Sequence, residues 1–368
     1  MSGARQLSYV LPLRWSDDAA LAELSDYVRR LAPEVGEVIV VDGSPDPLFE
    51  SHARELGGHC RVLRPDPGFD FAMGKVNGVT TGVRAARHEA VVIADDDVRY
   101  DPGSLARVAA LLEHAHLVRP QNYFGPLPWH ARIETGRILL NRVLTGDPEF
   151  PSGDFPGTLG VRRSAFIALD GYDGDVMFEN LELMRTVSAA GGVVVTPLDL
   201  YVRRLPPTDR HYLGQRVRQA FDDLGVPLRL AAFLAIAPAL ALSLLTDRRR
   251  AAALAALTPI AVAEAGRRRA GGRRHFPLSA SILAPVWMAE RAISVWLAVA
   301  SKLRHGGIRY AGRIVPRGVN SRRELRRRLA GAALPVPGGP EADDLVGPVA
   351  EGEQSRASAA AERDRTAA

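Results

Sequence analysis

Apolar and polar positions in the first two hundred residues alternate between short strand-like runs and longer stretches with helical spacing. The strand-like runs are 7–13, 37–41, 60–63 and 90–94. Stretches with apolar residues at helical spacing separate them, at 17–31, 47–56 and 76–87. Alternation of this kind predicts an α/β fold in which a mostly parallel sheet is covered by helices.

Acidic turns follow two of the predicted strands. Asp42 comes directly after the apolar run 38–41, and Asp95, Asp96 and Asp97 come directly after 91–94. Ligands of open α/β sheets bind outside the carboxyl ends of the strands. Both turns therefore lie where a binding site is expected.

The triplet Asp95-Asp96-Asp97 has the chemistry of a metal site. Adjacent carboxylates repel one another, and a site of this kind suits Mg²⁺ or Mn²⁺ held together with substrate phosphates. On an extended backbone Asp95 and Asp97 project to the same side, and Asp96 projects to the other. The alternative is a solvated turn. Asp101-Pro102 resembles a helix start with proline at the first helical position.

Two further residues are weaker candidates for nucleotide binding. Asp42 can accept hydrogen bonds from a base or ribose, or it can build an Asx turn in Asp-Gly-Ser-Pro. Lys75 opens a predicted helix and is placed to meet a phosphate there. The alternative for Lys75 is an ordinary surface lysine.

The C-terminal half has a different composition. Residues 228–245 form an apolar run near the lower length limit for a membrane span. The run 278–303 also carries Glu290 and Arg291, which suits an amphipathic helix in the lipid headgroup layer. The alternative is an Ala-rich helical bundle packed on the N-terminal domain. From about residue 335 few large apolar residues remain, so this tail is expected to be disordered.

Charge and cysteine content add to this picture. The formal net charge is +5, nearly all positive charge is arginine, and the arginines cluster in the C-terminal half. Such clusters suit membrane headgroups, whereas nucleic acid is disfavoured because no recognition module accompanies them. Cys60 is the single cysteine, which excludes an intrachain disulfide and favours a reducing compartment. With no signal segment at the N-terminus, we expect a catalytic domain on the cytoplasmic side of the cytoplasmic membrane.

Several motifs in order resemble the family 2 glycosyltransferases of the GT-A fold. The first three are Val40-Val41-Asp42-Gly43-Ser44, Gly74-Lys75-Val76-Asn77-Gly78 and Asp95-Asp96-Asp97. They are followed by 157–166, the turn Asp170-Gly171-Tyr172, Phe178-Glu179-Asn180-Leu181-Glu182-Leu183 and Gln215-Arg216-Val217-Arg218-Gln219. Residues 305–312 also resemble a terminal segment of membrane-bound relatives; the alternative is a turn that returns the chain to the domain. The main resemblance covers roughly residues 5–225.

This resemblance implies a GT-A mixed sheet flanked by helices and a nucleotide-diphosphate sugar as donor. Asp42 and Asp96 would contact the base and ribose, with Lys75 near the nucleotide. Asp95 and Asp97 would hold the metal against the diphosphate. Gln215 and Arg218 would bind the diphosphate or close the site, as arginine is a bidentate phosphate ligand.

Two positions depart from the family pattern. Asn180 stands where the family usually has the aspartate that acts as general base, and an amide cannot accept a proton. Glu179 is the replacement candidate, with Glu182 behind it; the alternative is that Glu179 only caps its helix. Gln219 stands where the motif has tryptophan, which argues against a processive polymer synthase.

We therefore expect an inverting, metal-dependent glycosyltransferase whose acceptor is lipid-linked, since the catalytic domain leads directly into apolar helices. The expected organisation is a GT-A catalytic domain at 1–225, a membrane-associated helical region at 226–312, a basic amphipathic segment at 313–334 and a tail at 335–368. A nucleotidyltransferase is the first alternative, disfavoured because 11–16 has no glycine. A sugar-nucleotide sensor or scaffold without catalysis is the second.

Overall fold

The computed structural model describes residues 6–145, 156–246 and 249–337. Twelve strands lie in these ranges: β1 (Leu7–Leu13), β2 (Glu37–Asp42), β3 (Arg61–Leu63), β4 (Ala90–Ala94), β5 (Val98–Arg99), β6 (Leu117–Val118), β7 (Gln121–Phe124), β8 (Thr158–Arg162), β9 (Val194–Val195), β10 (Tyr201–Arg204), β11 (Ile308–Tyr310) and β12 (Arg313–Val315).

The helices of the N-terminal part mostly connect successive strands. They are α1 (Leu21–Leu31), α2 (Asp46–Leu56), α3 (Gly74–Ala85), α4 (Pro102–Leu112), α5 (Trp129–Arg142), α6 (Arg163–Ala168), α7 (Glu179–Ala189), α8 (Asp209–Gly214) and α9 (Arg216–Ala220). The C-terminal helices are α10 (Pro227–Leu245), α11 (Arg249–Arg268), α12 (Leu278–Ile282), α13 (Ala284–His305) and α14 (Arg322–Arg328).

The central sheet has seven strands in the order β3-β2-β1-β4-β8-β6-β9. Strands β3, β2, β1 and β4 are parallel, whereas β8 runs antiparallel to both of its neighbours, β4 and β6. The chain passes from β1 outward through β2 to β3 and then returns to β4 on the other side of β1. This reversal opens a crevice at the carboxyl ends of β1 and β4, where ligands of such sheets bind.

Both faces of the sheet are buried, as the apolar runs predict. Alternate residues of β4 enter two separate cores: Val92 and Ala94 pack on one face, and Val91 and Ile93 on the other. A strand covered by helices on both sides reads as a continuous apolar run. The predicted strands 7–13 and 90–94 are therefore found with the same bounds, and Asp101 caps α4 by accepting from the Ser104 N–H.

A second sheet of three strands, in the order β5-β10-β7, lies beside the carboxyl end of β4. Strand β10 pairs parallel to β7 and antiparallel to β5. The backbone N–H of Leu205 donates to the Asp97 carbonyl at 2.8 Å, which ties the end of β10 to the acidic turn. This small sheet forms one wall of the crevice.

Helices α11, α12 and α13 pack on helix α5 of the N-terminal part. A Cβ placed on Gly266 of α11 would lie 2.0 Å from the Leu139 carbonyl oxygen, so only glycine permits this approach of the two backbones. Phe276, Ala280 and Ala284 complete a common core with α5. Packing of these three helices on α5 is what the alternative of an Ala-rich bundle predicts.

The run 228–245, for which a membrane span was considered, forms helix α10. In the described ranges, no helix combines the length and the hydropathy that crossing a bilayer requires.

The segment after α13 returns to the N-terminal part. Strands β11 and β12 form a hairpin, and the backbone N–H of Phe178 then donates to the Gly318 carbonyl at 3.0 Å. Helix α14 packs on α7 and buries Leu325. The basic segment expected at 313–334 therefore lies against the N-terminal part. The tail expected to be disordered falls, from residue 338 onward, outside the described residues.

Candidate active site

A cavity of about 910 Å³ opens at the carboxyl edge of the central sheet. Its floor comes from the ends of β1, β2 and β4 through Leu13, Gly43 and Asp95. Another wall comes from the start of α7 and from the segment of helices α8 and α9. Parallel strands and helix N-termini therefore meet here, as the crevice of an α/β sheet requires.

The acidic turn after β4 faces this cavity and is paired with two cations. Arg204, at the end of β10, donates from Nη2 to Asp97 Oδ2 at 2.6 Å and lies 3.4 Å from Asp95 Oδ2. The Arg204 Nε also donates to Asp97, at 3.0 Å. The ammonium of Lys75 forms an ion pair with Asp95 on the other side.

Lys75 links the acidic turn to helix α7. Its ammonium donates to Glu179 Oε1 at 2.7 Å while it contacts Asp95. Lys75 is thus not an ordinary surface lysine. It lines the cavity, where the nucleotide is expected to bind. Glu179 is the first residue of α7, and its carboxylate faces the lysine instead of capping the helix.

The electrostatics of the cluster depend on burial and on opposite charges. Burial lowers the pKa of the Lys75 ammonium, but the carboxylates of Asp95 and Glu179 raise it by more. The pKa of Arg204 is raised in the same way by Asp97 and Asp95, against the effect of burial. Burial raises the pKa of the Asp97 carboxyl, and the Arg204 guanidinium opposes that rise. Both basic groups therefore stay charged.

The acidic pair fits a divalent cation only if the substrate completes the coordination. Asp95 and Asp97 converge on a single positive group, the Arg204 guanidinium. Within the described ranges, however, no group of three or more His, Cys, Asp or Glu side chains is placed to hold a metal. Mg²⁺ is commonly bound by one or two carboxylates with substrate phosphates and water as the other ligands. Two carboxylates facing a cavity of this size suit that arrangement.

The structure corrects the expectation for Asp42. The carboxylate of Asp42 is fully buried, accepts a hydrogen bond from the Ser44 N–H at 2.8 Å and lies 2.6 Å from His52 Nδ1. The neighbours Val41 and Gly43 line the cavity, but Asp42 does not. A contact with the base or ribose would require the pair with His52 to open. The Asx turn, the alternative interpretation, is what the structure shows.

Asp96, in contrast, does line the cavity. Its Oδ2 accepts from the indole N–H of Trp15 at 2.5 Å. Trp15 follows β1, so this bond joins the ends of β1 and β4. The placement of Asp96 beside a planar ring is compatible with the expected contact to the nucleoside.

Glu182 does not share the cavity with Glu179. Its side chain is fully buried, and both of its oxygens accept from Asn320, from the backbone N–H at 2.8 Å and from the amide at 2.7 Å. Burial raises the pKa of the Glu182 carboxyl, and the two hydrogen bonds counteract part of that rise. Glu182 therefore anchors the returning segment on α7, which corrects its assignment as a second candidate for general base.

Asn180 occupies the inner side of the same helix start. Its Nδ2 donates to the Pro156 carbonyl at 2.6 Å, while Oδ1 is buried with no hydrogen-bond partner among the residues described. The side chain lines the cavity. By donating to the Pro156 carbonyl, the Asn180 amide positions the chain before β8. An amide cannot act as a general base, because it does not accept a proton.

Gln215 and Arg218 both line the cavity, as the motif resemblance implies. The guanidinium carbon of Arg218 lies 5.2 Å from the ring centroid of Tyr310 in strand β11. Burial lowers the pKa of Arg218, and in the described ranges no carboxylate forms an ion pair with it. Arg218 is thus a positive group whose main neighbour is an aromatic ring.

A buried ion network supports helices α8 and α9 from behind. Glu134 of α5 accepts from Arg137 at 2.6 Å and from Arg216 at 2.9 Å. Burial raises the pKa of Glu134, but the two guanidinium groups lower it further, to about 2. Arg216 also lies 3.9 Å from Glu290 of α13. The network therefore fixes the wall that carries Gln215 and Arg218.

Arg204, Tyr310 and the network of Glu134 are site features that the sequence motifs do not indicate. A signal for Arg204 was present, because it ends a strand-like run, 200–204, just before Pro206 and Pro207. The rule that placed Asp95 at a strand end applies to Arg204 as well. Glu134 and Arg216 are 82 positions apart in the sequence, so no local pattern distinguishes them from solvated charges.

Several solved structures are similar to this chain. A mannosyltransferase from Pyrobaculum calidifontis, in complex with GDP-Man and Mn²⁺, is 17% identical, with 81% of this chain and 87% of that chain covered at a TM-score of 0.49. Glucosyl-3-phosphoglycerate synthase from Mycobacterium tuberculosis, in complex with Mn²⁺, UDP and phosphoglyceric acid, is 21% identical, with 57% and 74% covered at 0.40. Mannosyl-3-phosphoglycerate synthase from Rubrobacter xylanophilus is 20% identical, with 59% and 70% covered at 0.41.

No curated protein matches this sequence. Residues 18–166, however, match the family model described as glycosyl transferase family 2. The matched region runs from the residues before α1 into α6 and contains Lys75 and the acidic turn that faces the cavity. The mixed sheet flanked by helices is the architecture that the motif resemblance implied. Residues 18–166 are therefore similar to glycosyl transferase family 2.

Proposed function

We propose that this glycosyltransferase transfers a sugar from a nucleoside-diphosphate donor to an acceptor hydroxyl, with inversion at the anomeric carbon. The observation that carries the proposal is the convergence of Asp95, Asp97, Lys75 and Glu179 on one cavity. Carboxylates for a divalent cation, an ammonium beside them and a further carboxylate supply the groups that such a displacement needs.

The diphosphate binds between the acidic turn and helices α8 and α9. Arg218 lies on the wall formed by α8 and α9, lines the same cavity as Asp95 and Asp97, and provides positive charge for the phosphates. Gln215, on the same wall, supplies an amide donor. A divalent cation held by Asp95 and Asp97 would stabilise the charge that builds on the departing diphosphate.

Glu179 is the general base in this proposal. The carboxylate removes the proton of the acceptor hydroxyl as the new bond to the anomeric carbon forms. The Lys75 ammonium, 2.7 Å from Oε1, holds Glu179 in the cavity and at a fixed place relative to Asp95. Lys75 thereby positions the base against the site of the donor phosphates.

The test of this function combines binding and turnover. Nucleotide sugars are screened by thermal shift with Mn²⁺, and the donor that raises the melting temperature most is then assayed for transfer and for hydrolysis without acceptor. We expect Asp97→Ala to abolish turnover while the fold is retained. Asp199→Ala is the matched control, because Asp199 is exposed and pairs only with Arg107 in the described structure.

Two outcomes would contradict the proposal. The first is that no nucleotide sugar raises the melting temperature, with or without Mn²⁺. The second is turnover in Asp97→Ala equal to that of the unmodified protein at saturating metal and donor. Release of free sugar and nucleoside diphosphate separates a transferase from a sensor, which binds the donor and leaves it intact.

We further propose that the acceptor is lipid-linked and is met at a membrane surface. Helices α10 and α11 expose large apolar side chains, with Leu228 79%, Leu245 84% and Leu254 68% exposed. Exposed apolar surface of this extent marks an interaction site. Two exposed basic residues after α11, Arg273 and Arg274, complement anionic headgroups.

Vesicle flotation tests the membrane contact that a lipid-linked acceptor at a membrane surface requires. The protein is expected to float with vesicles that contain phosphatidylglycerol, and the double variant Leu242→Ser, Leu245→Ser is expected to lose most of that binding. Ile167→Ser on helix α6 is the control, because Ile167 is also exposed but lies on the catalytic part. Equal flotation of all three proteins, or flotation of none, would contradict a membrane-facing acceptor.

A further inference from the structure

Arg204 occupies the point where a divalent cation would bind. Its guanidinium contacts both oxygens of Asp97 and lies within 3.4 Å of Asp95. These carboxylates are the two that the proposed function assigns to the metal. Two positive groups cannot share one position between the same pair of carboxylates, so the guanidinium and the metal exclude each other there.

The Arg204 guanidinium is held in a slot lined by Gly157 and Phe124. A Cβ on Gly157 would lie 2.6 Å from both Cζ and Nε of Arg204, so the group can lie flat on the backbone only because residue 157 is glycine. The Phe124 ring centroid lies 5.9 Å from the guanidinium carbon on another side. Arg204 is thus fixed by shape as well as by charge.

The backbone around the slot is tied together as well. The Asp95 N–H donates to the Gly157 carbonyl at 2.8 Å, and the Gly125 N–H donates to the Arg204 carbonyl at 2.9 Å. Strand ends β4, β8, β7 and β10 therefore meet around one guanidinium. A surface arginine that happened to reach a carboxylate would have no such surroundings.

We propose that Arg204 is an internal counter-cation of Asp95 and Asp97, which it neutralises until the donor and the divalent cation arrive together. This inference rests on the proposed function. Without Arg204 the two carboxylates would repel each other in a partly buried place. When the diphosphate enters, it offers the displaced guanidinium a new anion whose oxygens can accept two hydrogen bonds from the planar arginine fork.

The consequence is coupling between metal and nucleotide. Metal alone must compete with Arg204, so its affinity is low in the absence of nucleotide. A nucleoside diphosphate removes the competitor and supplies further oxygen ligands, so metal affinity rises, and by reciprocity the metal raises nucleotide affinity by the same factor. The enzyme would thereby avoid holding a metal in a site without donor.

Mn²⁺ binding measured by electron paramagnetic resonance tests this inference, because the signal of free Mn²⁺ reports binding without turnover. Arg204→Ala is expected to bind Mn²⁺ alone at least about tenfold more tightly than the unmodified protein, and to gain less from added UDP or GDP. Arg203→Ala is the matched control. Arg203 is the neighbouring residue on β10, its side chain lies on the other face of the strand, and it packs against Gly125.

A second variant, Gly157→Ala, keeps the positive charge of Arg204 and removes only the space that its guanidinium occupies. In Gly157→Ala the new methyl group displaces the guanidinium from its slot, so Mn²⁺ affinity without nucleotide is expected to rise in the same direction as in Arg204→Ala. Melting curves confirm that each variant is folded, and Gly157→Ala decides the question if Arg204→Ala does not fold.

The outcomes separate the two proposals. Unchanged or weaker Mn²⁺ binding in both variants, with nucleotide-dependent Mn²⁺ binding intact in the unmodified protein, overturns the counter-cation and leaves the proposed function standing. Absence of Mn²⁺ binding in the unmodified protein even with UDP or GDP overturns the metal site itself, and the counter-cation with it.

Discussion

The Lys75 ammonium donates to Glu179 Oε1 at 2.7 Å, although the two residues lie 104 positions apart in the chain. Lys75 stands in the first turn of α3 and Glu179 begins α7, so the contact joins two helix starts across the cavity. The same ammonium contacts Asp95. One lysine therefore sets the spacing between the carboxylates proposed for the metal and the carboxylate proposed for the acceptor.

Glu179→Gln is expected to reduce kcat by about 10²–10⁴-fold, the usual contribution of a general base, with donor affinity nearly unchanged. The amide keeps the shape of the side chain and an acceptor for Lys75, so the fold is retained. Steady-state kinetics and donor titration by calorimetry measure the two effects. Glu182→Gln is the paired variant: because Glu182 is buried on Asn320, we expect a lower melting temperature and a normal kcat. A normal kcat in Glu179→Gln, together with a reduced kcat in Glu182→Gln, would reject Glu179 as the base.

Asn180→Asp is expected to destabilise the protein and not to restore turnover to Glu179→Gln. The change removes the donor to the Pro156 carbonyl and places an anion at a site that is only 6% exposed. An unpaired buried polar group costs about 1–3 kcal/mol, and a charged one more. Urea unfolding measures the stability, and the transfer assay on the double variant measures rescue. Recovery of activity in that double variant would show that position 180 can supply the base.

Glu134→Gln is expected to destabilise the fold by about 3–5 kcal/mol at neutral pH, because Arg137 and Arg216 then lose their shared carboxylate. The pKa of Glu134 is lowered from 4.5 to about 2, so its contribution is complete above pH 4.5 and is lost as pH falls towards 2. That change corresponds to about 3 kcal/mol. Unfolding free energies of both proteins between pH 7 and pH 3 should converge; a constant difference would contradict the ion network.

Cys60 is expected to react slowly with thiol reagents. Burial raises the pKa of its thiol to about 12, and its Sγ donates to the Leu56 carbonyl at 3.4 Å. At pH 8 the thiolate fraction is then about a thousandfold lower than that of a free cysteine. The rate of iodoacetamide labelling, followed by mass spectrometry with and without denaturant, checks this. Fast labelling of the native protein would show an accessible thiolate.

Much of the central sheet could be predicted because its strands are buried on both faces. Strands of this kind carry continuous apolar runs such as 7–13 and 90–94, which are visible in the sequence without any knowledge of contacts. Strand ends were visible for the same reason, and they placed Asp95 and Asp97 at the carboxyl edge. Short edge strands such as β5 and β9 have only two residues each and leave no pattern.

The sequence by itself determined the α/β order, the position of the acidic turn and the start of the helix that carries Glu179, because each depends on local periodicity and on turn residues. Only the tertiary structure decided that Asp42 faces His52, that Glu182 faces Asn320 and that Arg204 faces Asp97. The direction in which a polar side chain points depends on partners far away in the chain. Local patterns place a carboxylate at the end of a strand or on a helix, but the charge that it meets comes from the packing of the whole fold.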